Sequence, residues 1–353
     1  MTTLSSTAEI EKIAEKLILE VFNVKKGETV AITGDSDSNR EFAEILSKTT
    51  TDAGALPLIM WTPKSPYDGQ AGMSYWPAKA LTAALSNVDI WIELHTNVIL
   101  YSDIWEKAFE NNAELRYIVL GDSSIPSLAR VFTTFEIKTL GIFLEKVKDL
   151  CMKANKIRIT SKNGTDVSYK TDLNYLFDYD DGDLSKPRFG TAPGYINIIP
   201  KKNSMNGKIV FDLLMNTTIY NTTNRIEFTM QNGEIVDVTG TAQEVKKFNQ
   251  YLSSFNDPNM YKISHNMLGF NPGVRKLSGE IVEDERIWGG VDFGFGHTSP
   301  MDMPPHGQPA KSHFDGVVER ATIYLDDALV VNNGVVCHPD LTQLAQKLIG
   351  NKK

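Results

Sequence analysis

The chain has 353 residues, 41% of them hydrophobic and 23% charged, the balance of a soluble globular protein with room for two domains. A formal net charge of -8 with no Lys/Arg-rich stretch sets it against a polyanionic partner, so no nucleic acid is expected. Cys151 and Cys337 are too far apart for a disulfide framework or a zinc-finger spacing; no apolar run reaches the roughly 18 residues of a membrane span, and the start Met1–Ser6 has no basic segment ahead of an apolar one.

A cytoplasmic protein is therefore expected, without membrane contact. Ile10, Ile13, Ala14, Leu17, Ile18, Val21 and Phe22 recur at three and four, which predicts an amphipathic helix over Ile10–Val24. Thr29–Gly34 reads as a short buried strand, Ser38–Thr51 as a helix with a Ser or Asn cap, and Leu56–Trp61 as a strand. Pro57 there needs an unpaired amide or a place at the strand's start. The alternation continues with a helix at Lys79–Leu85, a strand at Asp89–Leu94, a helix at Asp103–Asn111 and a strand at Leu115–Gly121. Strands separated by helices argue a mostly parallel sheet with ligands at its carboxyl ends. His95 falls at such an end. The loop Gly34–Asn39 occupies another, but it has neither the dinucleotide glycines nor a phosphate loop and reads as a solvated helix cap.

Glu136–Ala154 predicts a longer helix, with Ile142, Leu144, Val147 and Leu150 as its apolar positions. Beyond it β-branched residues and turns take over. Ile157–Thr160 and Asp166–Tyr169 flank an Asn-Gly turn, strands follow at Lys208–Asp212, Arg225–Thr229 and Glu234–Val238, and a helix at Thr241–Phe255. Asp178–Arg188 is rich in Asp, lacks the EF-hand order, and reads as a loop. The fold class expected is α/β: an N-terminal, mostly parallel α/β domain over 1–150 and a C-terminal antiparallel, β-rich α+β domain that binds metal over 151–353.

The second domain carries the chemistry. Strands are expected at Val291–Gly296, around Ser312–Gly316, at Ala321–Leu325 and at Ala328–Val331, the last running into an Asn332-Asn333-Gly334 turn. In His313-Phe314-Asp315 the two polar side chains point the same way, since strands alternate with period two. That geometry serves two ligands on one metal, and equally a surface strand or a hydrogen-bonded pair. With His265 as third ligand, two imidazoles and one carboxylate form the set of a mononuclear non-haem Fe(II) centre. His297 at a strand end and His306 in a Pro-rich loop are the nearest remaining imidazoles, either acid/base groups or solvent-facing residues. Asp292, in a strand of Phe and Gly, needs a partner if buried, and a ligating imidazole would supply one. Glu280, Glu283, Asp284 and Glu285 read as a solvated acidic loop, with a place near the metal as the other reading. His338, beside Cys337, reads as structural.

Gly269–Arg275, Gly279–Gly296 and His313-Phe314-Asp315, with Ala192–Tyr195 and Asn206–Phe211, resemble the thermophilic metalloaminopeptidases of the leucyl aminopeptidase and aminopeptidase T type. Their two-metal carboxylates do not match here: Tyr195, His265 and Asp292 stand where the peptidases carry Glu, Glu and His, and only His313 and Asp315 are kept. The departures resemble the 2,5-dihydroxypyridine 5,6-dioxygenase family within the same fold group. That resemblance implies one Fe(II) on His265, His313 and Asp315 and an N-terminal histidine near the iron for which His95 is the upstream candidate; Asp292, Tyr195 and Glu280 are expected in the surrounding shell or pocket. It implies an Fe(II)-dependent extradiol-like dioxygenase, with an aromatic small molecule and O2 as partners, and a metalloaminopeptidase as the alternative. A homo-oligomer, a dimer first, is also expected.

Overall fold

The computed structural model describes residues 7–67, 69–121, 123–214, 218–219 and 224–350; the Met1–Ser6 start lies outside them. The chain forms two compact units, one of Met1–Lys138 with Gly182–Pro193 and one of Thr139–Asp181 with Gly194–Lys353.

In the first unit, a parallel five-stranded sheet with buried central strands is formed by Leu56–Thr62, Thr29–Asp35, Ile90–Glu93, Arg116–Val119 and Arg188–Gly190, in that order. Helices on a sheet's faces require strands apolar on both sides, and Val30, Ile32, Ile90 and Ile92 on one face and Ala31 and Trp91 on the other are fully buried. Pro57 is the second residue of the edge strand, where a missing N–H is tolerated. Helices Arg40–Asp52, Ala78–Leu85 and Asp103–Asn111 stand where the periodicity places them. Two features differ from the sequence reading. The first helix is α-helical only over Thr7–Glu15 and continues as a π-helical turn, Lys16–Val21. Ile125–Thr133, which the periodicity did not single out, is a helix capped by the Ser124 side chain.

The second unit contains two antiparallel sheets. One holds eight strands, running Glu234–Gly240, Ile226–Gln231, Asn206–Val210, Asp166–Lys170, Lys156–Ser161, Ala321–Leu325, Ala328–Asn332 and Val335–Val336. The other holds seven, running Thr218–Ile219, Leu213–Leu214, Gln308–Val318, Val291–Thr298, Ile263–Gly269, Tyr195–Ile198 and Phe177–Asp180. Between them lies an aromatic core: Phe228 stands 4.7 Å from Phe211 and 5.6 Å from Phe295, and Phe314 stacks on Phe295 at 5.1 Å. The Asn332-Asn333-Gly334 turn closes a hairpin as expected, with Asn332 paired to Val335.

Three expectations are corrected. Asp178–Arg188 is not all loop, because Asp178 and Asp180 pair in a strand with Asn197 and Tyr195. In the helix Ile137–Lys153 the buried face is Leu140, Phe143, Leu144, Val147 and Cys151, so Ile142 points outward. Its neighbours satisfy the three-and-four spacing from Leu140 and it does not. The acidic stretch is no solvated loop either: Glu283 and Asp284 are fully buried in the short helix Ile281–Asp284, and Asp284 accepts from the Ser278 and Gly279 amides.

Candidate metal centre

Three adjacent strands carry the site. In Val291–Thr298 the side chains of Phe293 and Phe295 join the aromatic core, so Asp292, Gly294 and Gly296 line the opposite face. Register sets Gly294 between His265 and Asp315, and Gly296 opposite His313. A Cβ on Gly294 would lie 2.4 Å from His265 Cε1. Only glycine leaves the imidazole its position over the strand. Entry to this sheet depends on a second close approach: Gly194, at φ +100, passes so near Asn271 that a Cβ would lie 2.6 Å from its Cα. The Gly194 carbonyl accepts from Phe270 N–H at 2.7 Å.

His265, His313 and Asp315 converge, each offering a ligand atom within 4.8 Å of the others, and they are the one such group among the described residues. His313 Nε2 lies 3.0 Å from Asp315 Oδ1, and His265 Nε2 lies 3.4 Å from the same oxygen. The two imidazoles stack with centroids 5.1 Å apart. His313 Nδ1–H donates to the His297 carbonyl at 2.9 Å. A carbonyl only accepts, so Nδ1 carries the hydrogen and Nε2 turns a lone pair inward.

Octahedral bonds of about 2.1 Å put neighbouring donors about 3.0 Å apart. The observed separations and the two-imidazole, one-carboxylate donor set fit a single divalent ion of the type bound by N/O facial sites. Asp292 is fully buried behind them, with Oδ2 3.1 Å from His265 Nε2 and Oδ1 without a partner.

Burial works against the His265 cation, but hydrogen bonds to Asp292 and Asp315 outweigh it and push the imidazole up to about 10. Burial also opposes the Asp315 carboxylate, yet His313 and His265 hold it well below the usual range. Asp292 is raised by burial and by repulsion from Asp315. Close donors whose lone pairs need a positive charge describe a cation site.

The other candidates lie as follows. His297 has an exposed ring and contributes its carbonyl to His313. His306 is exposed in the loop before Gln308–Val318. Tyr195 lies under the Arg286 guanidinium, 5.0 Å from its ring centroid. Glu280 is half-buried at the N-terminus of Ile281–Asp284. His338 caps the helix Pro339–Ile349, accepting from Asp340 N–H. Sequence reasoning grouped Glu285 with the acidic loop and passed over Arg286. They form a buried ion pair, and Glu285, raised by burial, is close enough for its charge to act on Asp315, Asp292 and His265. Adjacent opposite charges just before the apolar Ile287-Trp288 were the available signal. Asp302, raised by burial, is likewise near His265 and His313.

His95 belongs to the first unit and is fully buried at the carboxyl end of Ile90–Glu93. Its Nε2 lies 3.2 Å from Thr62 Oγ1, and Nδ1 has no partner. Burial pushes its pKa down to about 4, so the imidazole is neutral near pH 7.

A family model described as NicX, 2,5-dihydroxypyridine 5,6-dioxygenase, matches residues 12–338. The chain belongs to this family. The 2,5-dihydroxypyridine 5,6-dioxygenase of Pseudomonas putida KT2440 is 26% identical over 277 residues, covering 74% of this chain and 74% of that one. A solved structure of 2,5-dihydroxypyridine dioxygenase from Pseudomonas putida KT2440 superposes with a TM-score of 0.78 at 21% identity, over 96% of this chain and 100% of the other. Aminopeptidase T from Thermus thermophilus superposes with a TM-score of 0.64 at 13% identity, over 95% and 100%. Identities this low speak to fold alone, so the aminopeptidase relation is structural. A two-metal hydrolase needs two closely spaced ions and ligands for both, whereas the described residues of this family member group three donors.

Proposed function

We propose that the chain is a mononuclear Fe(II) enzyme that opens 2,5-dihydroxypyridine, or a related dihydroxylated N-heteroaromatic ring, with O2. The observation that carries the reading is the convergence of His265, His313 and Asp315 in a member of this family. When bound, Fe(II) supplies the redox chemistry by which a ring diol reacts with O2. The protein's part is holding and proton transfer. The His297 carbonyl holds His313 with Nε2 inward, and the buried Asp292 carboxylate adds negative charge 3.1 Å from His265 Nε2. Tyr195, under the Arg286 guanidinium, is the proposed aromatic wall. His95, held neutral by burial, is the proposed acid/base group.

The test combines metal analysis with turnover. Protein prepared anaerobically should hold about one iron per chain, and 2,5-dihydroxypyridine should lose its ring absorbance with consumption of O2. His95→Ala should keep the iron and lower kcat by about 10²- to 10⁴-fold. Two tightly bound zinc ions per chain with release of amino acids from peptides would overturn the reading.

A further inference from the structure

Glu93 and His95 lie two residues apart where the strand Ile90–Glu93 runs out, so their side chains leave the backbone on the same side. Both are fully buried. Glu93 Oε1 lies 3.9 Å from His95 Nδ1, the nitrogen that has no hydrogen-bond partner. The carboxyl is held in place: Oε1 accepts from the Ile99 amide, and Oε2 is hydrogen-bonded to the Tyr117 hydroxyl. Tyr117 is itself locked by packing on Trp91, 4.5 Å away.

We propose that Glu93 is the positioning residue of His95, keeping the imidazole in the tautomer with hydrogen on Nδ1 and leaving Nε2, on the Thr62 side, as the basic nitrogen. This rests on the proposed acid/base role of His95. The tautomer follows from what each neighbour can do. An amide N–H only donates, so Glu93 Oε1 is an acceptor where it meets Ile99. A proton on Glu93 therefore belongs on Oε2, shared with Tyr117. In either charge state Oε1 is an acceptor 3.9 Å from His95 Nδ1, beyond hydrogen-bond distance, and its negative potential favours N–H there. The Thr62 hydroxyl can donate to Nε2, and can accept from it once Nε2 is protonated.

The other charged group near His95 does not set its tautomer. Asp35 Oδ2 is taken by the Thr96 amide and hydroxyl, both at 2.8 Å, and Oδ1 by the Asp37 and Ser38 amides at 2.9 and 3.1 Å. Trp76 meets the imidazole through its ring, 6.3 Å between centroids. When His95 takes a proton at Nε2, the cation gains a buried carboxyl at its back. Burial pushes Glu93, against its bonds to Tyr117 and Ile99, up to about 8. The arrangement is that of a carboxylate orienting a catalytic imidazole.

The test reads the tautomer directly. Zinc-loaded protein labelled with 15N-histidine is examined by long-range 1H–15N NMR, with the His95 signals assigned from His95→Gln. The wild type should show the Nδ1–H pattern. Glu93→Leu should lose it and lower kcat of the iron enzyme by about 10- to 100-fold with little change in KM. Glu93→Gln, whose amide oxygen can still meet Ile99 and His95, should keep the pattern and recover most of kcat. An Nε2–H pattern in the wild type, or an unchanged Nδ1–H pattern in Glu93→Leu, overturns the proposal even if Glu93→Leu is inactive. A tautomer that shifts while kcat does not leaves the positioning intact and removes His95 from the reaction.

Discussion

At the scale of single residues, the site depends as much on a missing side chain as on the ligands. Gly294 separates His265 from Asp315 across the sheet, and its lack of a Cβ leaves the space the His265 ring fills. Gly294→Ala should leave the fold in place, displace His265, and weaken metal binding by about 10- to 100-fold, the range seen when groups that orient a ligand are disturbed. Competition against a chelator measures this, and parental affinity would show that the ring has room to move. The His-x-Asp spacing at His313 and Asp315 was legible in the sequence because strand alternation is local. That Asp292 meets His265 at the same Nε2 that faces Asp315 was not, because it depends on how two strands register.

At the scale of the element, the strand Val291–Thr298 does two jobs by period two. One face gives Phe293 and Phe295 to the core between the sheets, and the other gives Asp292 and two glycines to the site. Phe295 touches Phe228 and Phe314 and is fully buried, so Phe295→Ala removes a large volume where the surroundings cannot collapse. The expected cost is about 3–5 kcal/mol, read as a lower urea midpoint. A loss under about 1 kcal/mol would mean that the two sheets do not share this core. The alternation Val-Asp-Phe-Gly-Phe-Gly is enough to mark a strand. It does not say which partner lies on each face.

At the scale of the whole molecule, stability should carry a signature of the buried Glu93–His95 pair. Glu93 has a folded pKa of about 8 against an ordinary 4.5, so its contribution is full below the unfolded value and is lost as pH rises through the folded one. His95, pushed down from 6.5 to about 4, contributes above 6.5 and loses that contribution as pH falls through 4. The two oppose each other from about pH 4.5 to 6.5, and above 6.5 Glu93 acts alone of the pair. At up to about 1.4 kcal/mol per pH unit, the wild type should lose about 2 kcal/mol between pH 6.5 and 8 relative to Glu93→Gln. Urea unfolding of both proteins across that range checks the sign, and parallel curves would place the Glu93 proton elsewhere.

The sequence by itself determined most of the elements, the parallel-then-antiparallel order of the two halves, and the proposed His313-x-Asp315 ligand pair. Each rests on short-range regularities: helical and strand periodicity, turn residues, and a motif whose side chains share a face. Tertiary structure alone decided what depends on long-range contact. It buried Glu283 and Asp284 where a solvated loop was expected, turned Ile142 outward in its helix, and paired Asp178 and Asp180 into a strand. It also drew Glu285 and Arg286 toward Asp315 and Asp292 and set Glu93 behind the unpartnered nitrogen of His95. The physical reason is the same throughout. Whether a charged side chain is solvated, paired or orphaned is settled by neighbours distant in sequence, and no local pattern encodes their approach.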